Sequence, residues 1–322
     1  MGRNNIIGIL GLSLFILLFP LTGRISAISH YVDIMVFVGL TAMITMGLSL
    51  LMGYAGQISL GHAAFYGLGA YASGILTVKY GLNPWLALFI GVFLSAILAV
   101  VVGSPSLKLR GHYLAMATLA FGEIIYIIFN GWISLTKGPD GFGDIPYLSI
   151  FGFSFDSMLS NYYLIWFVAI IMLVFVLNII HSRLGRALMS IHGSELAASA
   201  MGVNAARFKI QVFIISAVMA SIAGSFYAHY VQYINPPVFD LFFSIKLLMM
   251  VIIGGMTNIW GALIGAALIT FLPEWLIFME DFDILAYGLI LLLITMFLPK
   301  GLFGLPEVVY KLFAPRVKAS LG

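Results

Sequence analysis

Apolar windows of about twenty residues follow one another along this chain, separated by short polar stretches. Each window is as long as an α-helix needs to cross a hydrocarbon core of roughly 30 Å. The pattern predicts about ten spans, near residues 5–21, 32–52, 57–78, 84–104, 112–131, 161–180, 208–232, 244–257, 260–279 and 283–298. The short alternating segments of a membrane β-barrel do not occur. The stretch Ile6 to Leu21 has the length of a signal-peptide core, but no small-residue cleavage site follows it, so it reads as a retained span. The expected fold is all-α: a polytopic transmembrane helix bundle forming a single domain over 1–322.

Composition agrees with that solvent. With 62% hydrophobic and 8% charged residues, the chain cannot be a water-soluble domain. The absence of cysteine excludes disulfides, thiolate metal sites and thiol nucleophiles. Placing the N-terminus in the cytoplasm puts Arg3, Lys108, Arg110, Arg183, Arg186, Arg207, Lys209, Lys300, Lys311, Arg316 and Lys318 inside and only Arg24, Lys79 and Lys137 outside. That asymmetry follows the positive-inside rule and supports an even number of spans, with both termini cytoplasmic. The net charge of +3 therefore reports orientation and does not point to nucleic acid.

Two connections exceed simple turns. The outer loop, 132–161, contains "TKGPDGFGDIP" (Thr136 to Pro146), in which glycine and proline punctuate an ordered loop carrying Lys137 and Asp140. The inner loop, 181–209, is too polar to span. In it Ala187, Leu188 and Ile191, then Leu196, Ala197, Ala200 and Met201, recur at helical spacing, which predicts one or two short amphipathic helices broken at Gly193 and Gly202. Glu195 begins the second, where a carboxylate suits the positive end of the helix dipole. A basic tail, 300–322, closes the chain.

Polar residues inside the spans raise a sharper question. "GYAGQISLGHAAFYGLGAY" (Gly53 to Tyr71) places five glycines, a glutamine, a serine and a histidine within apolar surroundings. The glycines can serve close helix packing alone. They can equally mark a broken helix, since irregular backbone at membrane depth needs protein or water to cover it. Gly56, Gln57, Ser59, Gly61 and His62 are then candidates for lining a polar passage. Gly254, Gly255 and Asn258 supply a second interruption in the later half, and the two fit an inverted pseudo-repeat. Glu123 is the one acid well inside a predicted span, a candidate for structural pairing or gating. His112 and His229 read as hydrogen-bonded residues near span ends, and Trp85, Trp132, Trp166 and Trp275 as an aromatic belt. No phosphate-binding G-x-x-x-x-G-K-[ST] loop, nucleophile elbow or metal-spaced cluster is present, so the chain carries no visible catalytic machinery.

The inner loop, with its arginines, the helix "SELAASAMGV" and the following "RFK", resembles the loop by which permeases of ABC importers dock onto their ATPases. The closer resemblance is to the branched-chain amino acid ABC transporter permease family, the high-affinity leucine, isoleucine and valine uptake permeases. It extends through "GYAGQISLGHAAFYGLGAY", "SLKLRGHYLAMATLAFGEI" and "IIGGMTNIWGALIGAALI", covering most of the chain from about residue 40 to 300. The chain departs from the family pattern at His192, Gly193 and Ser194, and at Lys137, where a glycine is expected. The resemblance implies a bacterial or archaeal cytoplasmic-membrane permease that works by alternating access. Its implied partners are a second homologous permease in a heterodimer, two ABC ATPase subunits and a soluble substrate-binding protein. ATP and Mg would be bound by the ATPases, with no cofactor on this chain and no metal site. Arg183, Arg186, Ser194, Glu195, Ala198 and Gly202 would couple ATP hydrolysis to transport. Related permeases carry amides, urea-like solutes or carboxylates, which stay open as substrates. An ion-coupled secondary transporter is the remaining alternative.

Overall fold

The computed structural model describes residues 3–22, 29–107, 109, 111–150, 152–275 and the isolated positions 288, 289, 292, 296 and 302. The chain forms α1 (Arg3–Thr22), α2 (Ser29–Ser49, continued by a π-turn Leu50–Tyr54), α3 (His62–Tyr80), α4 (Pro84–Ser106) and α5 (His112–Gly131). After a short α6 (Ile133–Thr136) and a 3-10 turn (Gly138–Asp140), a two-residue hairpin, β1 (Ser149–Ile150) and β2 (Phe153–Ser154), leads into α7 (Met158–His181). Then come α8 (Arg183–Gly193), α9 (Glu195–Ala200), α10 (Ala205–Val231), a 3-10 turn (Pro236–Phe239), α11 (Leu241–Gly254) and α12 (Ile259–Trp275).

The first nine expected spans correspond to α1–α5, α7 and α10–α12. Among the described residues, six helices are long and apolar enough to cross a membrane, and α1 and α12 are shorter apolar helices. Apart from those isolated positions, the tenth expected span and the tail 300–322 lie outside the described residues, as do Arg24, Lys108 and Arg110. The outer loop departs from the all-α expectation only through its small hairpin.

α3 is too polar and too rich in glycine to qualify as a span by hydropathy, and the bundle explains why that is tolerated. It lies against α10, α4 and α5, with almost every residue from His62 to Ile75 buried. Close packing there depends on absent side chains. A Cβ on Gly69 would stand 2.0 Å from the Ser221 carbonyl oxygen, and one on Gly224 1.9 Å from that of Tyr66. In lipid no hydrophobic force drives helices together, so backbone approach and interhelical hydrogen bonds hold them. Ser95 donates to Ser221 at 2.9 Å, and Ser225 donates to Ser73 at 2.9 Å. His229 bonds Ser73 at 2.8 Å and the Pro146 carbonyl at 2.6 Å, which ties the outer loop to the α3–α10 core. It is thus buried, not interfacial as expected. Trp166 is also a correction to the belt: it is buried and donates to the Met35 carbonyl at 3.0 Å. Glycine serves α11 and α12 in the same way, with a Cβ on Gly265 falling 1.9 Å from the Met250 carbonyl oxygen.

Candidate functional site

Two helices of the bundle begin at mid-depth. α2 ends in its π-turn, and the chain then reverses at Gly56, whose φ is +67°. The segment to Gly61 is not helical, so α3 starts five residues later than its apolar window suggests. His62 bonds Ser216 at 2.6 Å, and Gly47 of α2 also lies against Ser216. The first turn of α3 is therefore level with Gly47, about two helical turns, or roughly 10 Å, back from the end of α2. Leu60 donates its N–H to Thr118 of α5 at 3.0 Å, supplying a partner for backbone that leaves the helix.

A second segment descends from the opposite end. Phe142 and Ile234 form an antiparallel bridge beside Gly74 of α3. The 3-10 turn then carries Phe239 down to Gly67, where it packs on Tyr66, Tyr71 and Phe129. Asp240 caps α11, its carboxylate accepting the Phe243 N–H at 2.8 Å. Ser244, in the first turn of α11, accepts the Ala63 N–H at 3.1 Å. The N-terminal turns of α3 and α11 thus meet directly, reached by segments from opposite ends of the bundle. A narrow crevice beside them is lined by Leu60, Gly122, Glu123, Asp240, Leu241 and Ser244.

The expected second interruption is a turn between two helices. Gly254 and Gly255, with φ +110° at Gly255, form the turn between α11 and α12. Gly254 packs against Gly261, and Asn258 caps α12 by accepting the Trp260 N–H at 3.0 Å. This turn lies against the end of α2: a Cβ on Gly53 would sit 1.8 Å from the Met256 carbonyl oxygen, which accepts the Ser49 hydroxyl at 2.8 Å. The segment of reversed sense is 232–240, and the sequence reading missed it. Its only signals were Pro236, Pro237 and Asp240 between two apolar runs.

Of the residues expected to line a passage, Ser59 and His62 are bonded to each other at 3.0 Å and buried, and Gly61 packs on the Thr118 carbonyl. Gln57 is 3% exposed with neither side-chain polar atom hydrogen-bonded. Glu123 lies outward on α5 at the crevice edge, with Asp240 beside it. A carboxylate facing hydrocarbon at that depth costs about 2.5–3.5 kcal/mol on insertion scales.

The inner loop folds as expected into two helices broken at Gly193, with Gly202 at φ +84° in open space. Ser194 caps α9, accepting the Ala197 N–H at 3.3 Å. Ala198 is buried with Ile191 and Ala205, while Leu196 and Met201 are 72% and 85% exposed. Glu195 pairs with Lys209 of α10 at 2.9 Å, and Lys209 is only 7% exposed. Arg183 and Arg186 are exposed, with Arg186 donating to the His181 carbonyl at 3.1 Å. His192 rests against Gly56, so α8 touches the foot of the first break. Glu195 and Lys209 were each noted in the sequence, but only the fold pairs them.

At the opposite end, Lys137 adopts φ +60° between α6 and the 3-10 turn, its ammonium 5.5 Å from the Phe142 ring centre. A left-handed conformation costs a non-glycine residue about 1–2 kcal/mol, which explains the glycine expected there. Lys137→Gly is expected to stabilise the loop by up to about 1 kcal/mol, read as a rise in thermal midpoint; an unchanged or lower midpoint contradicts this account. The Asp140 backbone carbonyl accepts the Tyr233 hydroxyl at 2.7 Å.

A membrane-embedded bundle with helices that start at mid-depth and a structured polar loop outside it has the architecture of a solute permease. Residues 30–298 match the family model described as branched-chain amino acid transport system / permease component, and the chain belongs to that family. It is 30% identical over 304 residues to the high-affinity branched-chain amino acid transport system permease protein LivM of Escherichia coli K12, covering 87% of this chain and 72% of that protein. LivM of Salmonella typhimurium is 29% identical over 312 residues, covering 90% and 73%. LivH, a permease protein bearing the same system name in Escherichia coli K12, is 27% identical over 290 residues, covering 83% and 92%. No solved structure matches the chain.

Proposed function

We propose that this chain is the transmembrane permease subunit of an ATP-driven importer for branched-chain amino acids. It works with a second, related permease, two ATPase subunits and a soluble substrate-binding protein. The observation that carries this reading is the α8–α9 unit. It is a polar loop packed on the end of the bundle, yet it turns Leu196 and Met201 outward. Large apolar side chains exposed together on a structured loop mark a protein contact. That two permeases of Escherichia coli K12 share one system name and both resemble this chain supports pairing with a second permease.

The α8–α9 end is then cytoplasmic, and the outer loop with Lys137 and Asp140 faces the binding protein. ATP and Mg act on the ATPases, with no cofactor on this chain. Closure of the ATPases moves α9; the Glu195–Lys209 pair passes the motion to α10, and the contact of His192 with Gly56 passes it to the first break. Alternating access follows if the two states differ in these contacts. The solute path runs past the crevice where α3 and α11 begin. Leu60, Leu119 and Leu241 suit a branched aliphatic side chain there.

The test is gentle purification of the native complex followed by mass spectrometry. The wild-type chain is expected to bring a second permease and P-loop ATPases in stoichiometric amounts. The double variant Leu196→Asp, Met201→Asp is expected to lose the ATPases by more than about tenfold, a change of about 1.4 kcal/mol, while inserting normally. Repeated recovery of the folded wild-type chain alone overturns the reading.

A further inference from the structure

At the end of the bundle away from α8, α1 and α7 are tied together: the Tyr162 hydroxyl donates to the Ile16 carbonyl at 3.0 Å. Toward α8 the same two helices and the start of α12 enclose a cleft of about 720 Å³, large enough for a sizeable ligand. Leu12, Leu177, Ile180 and Leu263 make its walls apolar, while Asn5, His181 and Trp260 stand at its polar end. Asn5 and Leu12 are seven residues apart on α1, so the cleft runs roughly 10 Å along that helix. Ile264, 45% exposed, marks its open side. The polar end carries positive charge. Arg183 and Arg186 are exposed beside it, with no carboxylate partner among the described residues, and Arg186 donates to the His181 carbonyl. The His181 ring bonds the Leu177 carbonyl through Nδ1 at 2.7 Å, which leaves Nε2 without a partner among the described residues. None of the residues lining the cleft is acidic.

We propose that this cleft binds an anionic phospholipid of the inner leaflet, with an acyl chain between α1, α7 and α12 and its phosphate at His181, Arg183 and Arg186. The proposal rests on the importer reading only in placing the α8 end at the cytoplasmic surface. Two features together select such a lipid. A basic rim between transmembrane helices on the cytoplasmic side suits a charged headgroup, each arginine there contributing about 1 kcal/mol. Beneath it, an apolar channel open to the side suits an acyl chain, and the outward residues of α1 next to it, Leu10 and Leu14, are themselves large and exposed. A soluble anion or an acidic protein surface would use the arginines and leave the apolar walls without a role. The site also has a reach beyond its own walls. It touches Tyr54 at the end of the π-turn, Asn258 in the turn before α12, and His181 at the root of α8. A bound lipid therefore braces the base of the α8–α9 unit against the bundle.

The chain's lack of cysteine makes the test direct. Single cysteines are introduced as Ile264→Cys at the cleft and Phe93→Cys on the exposed face of α4, labelled with a small fluorophore, and the purified complex is reconstituted into phosphatidylcholine bilayers. Phosphatidylglycerol or phosphatidylcholine with brominated acyl chains is then added at the same low mole fraction. At Ile264→Cys the brominated phosphatidylglycerol is expected to quench at least about threefold more than the brominated phosphatidylcholine, while at Phe93→Cys the two quench alike. Adding Leu12→Trp, which fills the cleft, is expected to remove the excess quenching. Arg183→Gln with Arg186→Gln, both on exposed side chains, is expected to bring phosphatidylglycerol down to the level of phosphatidylcholine. Equal quenching by the two lipids at Ile264→Cys, or no quenching by either, overturns the proposal. So does full preference in the arginine double variant, or loss of the preference when inorganic phosphate is added, which would assign the rim to a soluble anion. The importer reading is judged separately, by which subunits accompany the chain, so either can fail while the other stands.

Discussion

Glu195→Ala is expected to abolish coupling between ATP hydrolysis and uptake while leaving the protein in the membrane. Lys209 is almost wholly buried, and the Glu195 carboxylate 2.9 Å away is the ion pair that holds it. Removing one partner of a buried pair leaves an uncompensated charge. The cost here is about 3 kcal/mol, at the low end for such losses because Glu195 keeps some contact with water. The larger consequence is mechanical. α9 loses its strut to α10, so uptake into proteoliposomes containing the full complex is expected to fall by more than about tenfold while ATPase activity persists. Stability and coupling can be separated by the double variant Glu195→Leu, Lys209→Met. An apolar pair of similar volume is often neutral for stability. That variant is expected to recover the thermal midpoint and to stay below wild type in uptake per ATP. Wild-type coupling in Glu195→Ala rules out the strut.

The second large effect is expected at Gly224. Its missing side chain lets α10 approach α3 so closely that a Cβ would overlap the Tyr66 carbonyl oxygen at 1.9 Å. The obstacle is backbone, which cannot turn aside as a flexible side chain can. Gly224→Ala must push the two central helices apart, stretching the Ser225–Ser73 and Ser73–His229 bonds together. A loss of at least about 3 kcal/mol is expected, seen as aggregation or a much lower melting midpoint in detergent. Gly131→Ala, where nothing lies within 4 Å of the added Cβ, is the control and is expected to stay within about 0.5 kcal/mol. Equal behaviour of the two variants contradicts the packing account.

Both predictions turn on contacts between separate helices, and this separates what could be read from the chain. The apolar windows placed α5 at residues 112–131, as observed, because helix length in lipid is set by local hydropathy. The loop helices broken at Gly193 and Gly202 were legible for the same local reason: glycine and the Ser194 cap act on their own neighbours. The direction in which α9 faces was not. Helical spacing grouped Leu196, Ala197, Ala200 and Met201 as one apolar stripe, and the fold shows that Ala198 is what meets Ile191 and Ala205 while the larger side chains point outward. Periodicity defines a stripe and does not say whether this chain or another covers it.

The sequence by itself determined the solvent, the all-helical class, the helices that stand behind its first nine apolar windows, and the family. Each depends on summed hydropathy or on short motifs read in order. Only the tertiary structure decided that 232–240 descends to mid-depth, that Ser244 accepts the Ala63 N–H, and that Glu195 holds Lys209. It also decided that the glycines of the Gly53 to Tyr71 stretch divide in role, with Gly56 turning the chain and Gly53, Gly61, Gly67 and Gly69 admitting neighbours. The physical reason is the same in each case. A glycine or a polar side chain in lipid states that something must approach or bond it, and what approaches is set by how the helices pack.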